Sequence, residues 1–93
     1  MEMPTQFEWD AAKEAANIAK HGISFAEATA VFTDAHAVDL DVSRATDGEV
    51  RRKVIGMIDG RLFAVVYTLR AAALRLISAR ATNRSEDREY GRR

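Results

Sequence analysis

RKVIGMIDGRLFAVVYTL, residues 52–69, decides the fold. Two β-like apolar runs flank Asp59-Gly60, and an Asp-Gly pair between such runs supplies a type I′ hairpin turn. The stretch therefore predicts antiparallel strands over 52–58 and 61–69. Downstream, Arg70 and three alanines lead into LRLISAR (74–80), which reads as a further strand. Alanine is a poor turn former, so this connection is the least clearly signalled. Upstream, AVDLDV (37–42) alternates weakly, as an edge strand does, and RATDGE (44–49) marks a loop.

The flanks are helical. AAKEAANIAKH (11–21) lies between Asp10, a good N-cap, and Gly22, a good C′ residue. Ala12, Ala15, Ala16 and Ala19 form one stripe at 3.6 residues per turn, expected to pack closely on the core, while Lys13, Asn17, Lys20 and His21 form the opposite face. Phe7 and Trp9 precede the helix at period two and are expected to pack on the core. SFAE (24–27) is a capping box, with Ile23 and Ala28 placed as a small hydrophobic staple, and starts a second helix ending near Thr33 or Asp34. In NRSEDREYGRR (83–93), Asn83 and Glu86 repeat the capping-box spacing and suggest a short final helix. Two helices, four strands and a last helix, joined by hairpins without a βαβ pattern, imply an α+β domain with a four-stranded, mainly antiparallel sheet.

The 93 residues fit one domain, and 47% apolar with 30% charged side chains fits a folded chain. The sequence has no cysteine, so disulfides and thiolate metal sites are excluded. No apolar run is long enough to span a bilayer and the N-terminus lacks a secretory pattern, so the expected location is the cytoplasm, with no membrane partner. A net charge of zero hides an asymmetry. Residues 1–50 carry three basic against ten acidic side chains, net −7; residues 51–93 carry eleven against four, net +7. Ten of those eleven bases are arginine, whose planar fork suits phosphate. The basic half is either a nucleic-acid surface or the ion-pair partner of the acidic half.

Nucleotide-loop and HExxH motifs are absent, and two histidines without cysteine make no zinc site, so neither cofactor nor metal is expected. The Lys20-His21 pair suits the carbonyl end of a helix dipole. Lys13 and Asn17 on the same face extend it into a strip of donors. In a regular strand Arg75 and Arg80 lie on opposite faces. With Arg70, Arg84 and Arg88 they are candidates for binding phosphates, or else cover core edges with their stems. Glu86 and Tyr90, i and i+4 on the last helix, project on one side. His36, beside Asp34 and Asp39, reads as a surface residue.

FEWDAAKEAANIAKHGISFAEA and RRKVIGMIDGRLFAVVYTLR…LRLISARATNRSEDREY together resemble the BrnT toxins of toxin–antitoxin systems. Phe7, Trp9, Asp10, Lys13, Asn17, Lys20, His21 and Gly22 carry the first block, and Gly60, Arg61, Arg70, Arg75, Ser78, Arg80, Glu86 and Tyr90 much of the second. The chain departs from the usual pattern at RAAALR (70–75), where the family more often has a polar or glycine-containing turn. The resemblance implies a RelE-like fold, a ribonuclease that arrests translation, and neutralisation by a BrnA-like ribbon-helix-helix antitoxin. It further implies a toxin–antitoxin heterotetramer that reaches operator DNA through the antitoxin.

Metal-free RNA cleavage deprotonates the ribose 2′-hydroxyl, stabilises a phosphorane and protonates the leaving 5′-oxygen. Arg75 and Arg80 suit the second task, provided the strand bulges or ends between them. His21 suits proton transfer, with Glu86 or Tyr90 as the complementary partner. A lysine mechanism without histidine fits the sequence equally. Lys13, Lys20, Arg70, Arg84 and Arg88 are the candidate RNA-binding side chains. The competing reading is a non-catalytic module that clamps a protein target or serves only as corepressor with its antitoxin.

Overall fold

The computed structural model describes residues 6–92; residues 1–5, part of the N-terminus read for a secretory pattern, and Arg93 lie outside it. Strand β1 (Gln6–Glu8) leads into helix α1 (Ala11–His21) and one α turn, α2 (Phe25–Ala28), which continues as a 3-10 helix over Thr29–Thr33. Strands β2 (Val38–Asp41), β3 (Arg52–Ile58), β4 (Arg61–Arg70) and β5 (Ala73–Ala81) follow, then helix α3 (Arg84–Gly91). The sheet has five strands in the order β1-β5-β4-β3-β2. Strands β2 to β5 form an antiparallel meander, and β1 adds parallel to β5. The expected four-stranded antiparallel sheet is thus a five-stranded mixed one, because the Phe7-Glu8 segment pairs with Leu74-Arg75, 67 positions further along the chain.

Local chemistry builds the meander. Asp59 and Gly60 have φ of 49° and 82°, the two positive values a type I′ turn needs. The alanine connection closes just as tightly, with Arg70 opposite Ala73 and Ala71 at φ 54°. An L-residue there carries a steric cost of about 1 kcal/mol that glycine avoids. Gly22, at φ 73°, ends α1 by donating its N–H to Ile18 O. Both capping boxes form, Ser24 with Glu27 and Asn83 with Glu86.

One sheet face carries the core. Val54, Phe63, Val65, Tyr67, Leu74, Leu76 and Ala79 pack against Ile23, Phe25, Ala28 and Val31. Gly56 lets the 3-10 helix lie on β3, since a Cβ there would come within 2.9 Å of Val31 Cβ. Phe7 and Trp9 pack at the core margin, with rings 5.3 Å from Phe32 and 6.3 Å from Phe25 respectively.

The alanine stripe of α1 does not pack as expected: Ala12, Ala15, Ala16 and Ala19 are all exposed. Helix α1 docks instead through polar atoms. Glu14 Oε2 accepts the Phe25 and Ala26 N–H groups at 3.0 and 3.2 Å, satisfying free donors at the start of α2. Asn17, 6% exposed, donates to Ile23 O and Ala79 O at 2.9 and 2.8 Å and accepts from Ala79 N at 3.1 Å. Beyond the reach of β1, its amide replaces the neighbouring strand that β5 lacks.

Candidate active site on the second sheet face

The register of β5 against β4 shifts at one point. Ser78 pairs with Val66 but Leu76 with Tyr67, leaving Ile77 as a bulge. A bulge adds one residue and reverses the alternation beyond it. Leu76 and Ala79 consequently both face the core. Arg75, Ser78 and Arg80 share the other face, opposite Thr68, Val66 and Ala64 of β4. The sequence condition for Arg75 and Arg80 to work together, a break between them, is met at Ile77.

Helix α3 covers part of this second face and fixes its charges. Glu86 is 2% exposed. Its carboxylate accepts from both terminal guanidinium nitrogens of Arg80 at 2.7 Å, from Lys53 Nζ at 2.8 Å and from Asn83 N at 2.9 Å. Burial pushes the carboxyl up, but the hydrogen bonds from Arg80, Lys53 and the Asn83 N–H together outweigh it and hold the pKa down to about 2. The Glu86 hydrogen bonds in turn raise the Arg80 guanidinium. Lys53, on β3, was not singled out from sequence; its place beside Arg80 depends on the registers of three strands. Arg75 pairs with Glu8 of β1 at 2.8 Å. The Tyr90 hydroxyl donates to Asp34 Oδ2 at 2.7 Å, and Asp34 also accepts the N–H groups of His36 and Met57. The His36 N–H, Tyr90 and the Met57 N–H, in that order, hold the Asp34 carboxyl below its usual range. Tyr90 therefore fastens the end of α3 to the 3-10 segment and β3. His36 is exposed, as expected.

Along the edge of β5 runs a shallow groove of ≈ 250 Å³, lined by Lys13, Asn17, Lys20, His21, Ile77 and Ser78. The donor strip of α1 thus meets the bulge. Lys13, Lys20 and His21 are exposed and have no ion-pair partner among the described residues. Arg84 and Arg88, one turn apart on α3, are likewise exposed and unpaired. Arg70 is not brought to this region: it sits at the far end of β4 with Glu49 at 3.8 Å. Six residues of strand, about 20 Å, separate it from the row that holds Arg80. The acidic and basic halves do pair in part, through Arg51–Glu49, Arg52–Asp39, Arg70–Glu49 and Arg75–Glu8. Among the described residues, no group of three or more His, Asp and Glu side chains is arranged to hold a metal ion.

The sequence matches the profile of the family described as the ribonuclease toxin BrnT of type II toxin–antitoxin systems over residues 9–86. The chain belongs to the BrnT family. The matched segment spans α1, the bulged strand β5 and the start of α3 through Glu86. BrnT proteins are ribonuclease toxins, and a type II system implies an antitoxin partner. No curated protein matches the chain. No helix among the described residues is long and apolar enough to cross a membrane.

Proposed function

We propose that this BrnT chain is a metal-independent endoribonuclease that cuts RNA in the cytoplasm and thereby inhibits translation. The observation that carries the reading is the bulge at Ile77, which sets Arg75, Ser78 and Arg80 on one face beside a groove of unpaired cations. Lys13 and Lys20 hold RNA phosphates there, and Arg84 and Arg88 continue the cationic track over α3. His21 takes the proton of the ribose 2′-hydroxyl. The freed oxygen attacks the adjacent phosphorus, the bond to the 5′-oxygen breaks, and that oxygen takes a proton from water while His21 returns its proton to solvent. The products are a 2′,3′-cyclic phosphate and a 5′-hydroxyl. Arg75 and Arg80 supply positive charge to the phosphorane, where preorganised charge contributes most.

Glu86 serves this chemistry by holding Arg80 and Lys53. With its pKa at about 2 it is deprotonated near neutrality and is no proton donor there. Tyr90, with its hydroxyl committed to Asp34, acts as the anchor of α3. The antitoxin is a BrnA-like ribbon-helix-helix protein that forms a heterotetramer with the toxin and links it to operator DNA.

One observation favours the second reading, a binding module or corepressor: Arg75, Arg80 and Lys53 are already ion-paired within the chain. The test is cleavage of single-stranded RNA by the purified chain in EDTA. Wild type is expected to cut; His21→Ala is expected to lose activity while keeping the wild-type melting curve, and Arg80→Lys to lose activity while remaining folded, with a lowered melting temperature from the lost bidentate bond to Glu86. Full activity in both variants removes the site assignment, and an inert folded wild type supports the binding module.

A further inference from the structure

His21 lines a second cavity besides the cationic groove. It lies at the hairpin end of the sheet, has a volume of ≈ 270 Å³, and is formed by His21, Glu27, Ile58, Asp59, Arg61 and Phe63 among others. Three separate segments converge here: the α1–α2 corner, the β3–β4 turn and the end of β5. Its polar groups are largely uncommitted. Asp59 has neither a hydrogen-bond nor an ion-pair partner among the described residues. Glu27 Oε1 accepts from Ser24 N, while Oε2 has no partner among the described residues. The Arg61 guanidinium makes no ion pair among the described residues and lies over the Phe63 ring, 5.4 Å from its centroid.

We propose that this cavity is a base-reading subsite for guanine in the RNA strand cut beside His21. The inference rests on the ribonuclease reading and deepens it. Single-stranded RNA is read through splayed bases, which stack on guanidinium or aromatic planes and hydrogen-bond along their Watson–Crick edges. Arg61, supported from below by Phe63, offers such a plane. Asp59 offers two free carboxylate oxygens at the mouth of a rigid turn. Among the four bases, guanine presents two adjacent N–H donors, N1–H and the N2 amine, on that edge. They match a carboxylate in bidentate fashion, whereas adenine and cytosine oppose it with a ring-nitrogen lone pair. His21 belongs to both cavities. A strand whose phosphates lie along Lys13 and Lys20 therefore reaches the cavity by turning one base past the imidazole.

The test separates this claim from the nuclease claim by measuring binding without cleavage. Guanosine 3′-monophosphate and adenosine 3′-monophosphate are titrated into the ¹⁵N-labelled chain. Guanosine is expected to shift the Asp59, Gly60 and Arg61 amides and to bind about tenfold more tightly than adenosine, in line with one good bidentate base contact. Asp59→Asn, which suits the positive φ at this turn, is expected to abolish the preference. Equal affinities, or shifts confined to α1, overturn the subsite. RNA cleavage without base preference also overturns it and leaves the nuclease reading standing. Guanosine-selective binding by a chain that cuts no RNA supports the subsite and counts against the nuclease.

Discussion

Replacing Glu86 by glutamine removes the charge at the centre of the second sheet face while keeping its shape. The side chain is 3% exposed and holds two cations, so solvent does little to screen the loss. A pKa held from 4.5 down to about 2 in the folded chain corresponds to about 3 kcal/mol of stability near neutrality. Breaking a buried ion pair on one side has a comparable cost, because the partners stay behind uncompensated. The sign follows from linkage. A carboxyl whose folded pKa is depressed stabilises fully above its unfolded value and loses that contribution as pH falls toward the folded value. Glu86→Gln should therefore unfold about 3 kcal/mol more easily than wild type at pH 7 by urea titration. The gap should shrink steadily between about pH 5 and pH 2 as wild type takes up the proton. A gap that stays constant across this range, or is absent at pH 7, would show that Glu86 does not stabilise the fold as a buried carboxylate.

Two further perturbations probe the scaffold. Asn17→Ala leaves Ile23 O and both backbone groups of Ala79 without their partner, and should cost about 3 kcal/mol in urea denaturation and expose the Ala79 amide to faster hydrogen exchange; unchanged exchange would contradict the bridging role. Ala71→Gly relieves the positive φ in the β4–β5 turn and should raise stability by roughly 0.5–1 kcal/mol, a melting-temperature gain of several degrees, with a lower melting temperature contradicting the strain argument.

What was legible in the sequence follows the range of the interactions. The Asp59-Gly60 turn, the Gly22 stop and both capping boxes are set by residues within four positions of one another, and all form as their spacing implies. Strand β1 has only three residues, and its pairing partner lies 67 positions away, so the period-two placing of Phe7 and Trp9 showed side chains that pack on the core but not a strand. The alanine stripe misled because periodicity assumes that the apolar side faces in; α1 docks by the hydrogen bonds of Glu14 and Asn17 instead. The arginines were visible as candidates. The bulge that aligns Arg75 with Arg80 and the Lys53 that completes the Glu86 cluster depend on cross-strand register, which composition and spacing do not encode. Glu86 itself was found at the capping-box spacing, while its role as a holder of cations required the burial and contacts of the folded chain.

Metal-free cleavage of RNA through the ribose 2′-hydroxyl is the activity proposed for this BrnT chain. The most direct measurement maps its cleavage of an RNA oligonucleotide in EDTA, then substitutes a single 2′-deoxyribose at the cut position. A 2′,3′-cyclic phosphate terminus is expected on the all-ribose strand, and no cut at the deoxy position. Cleavage that persists at the deoxy position, or a requirement for added divalent metal, would contradict the proposed activity.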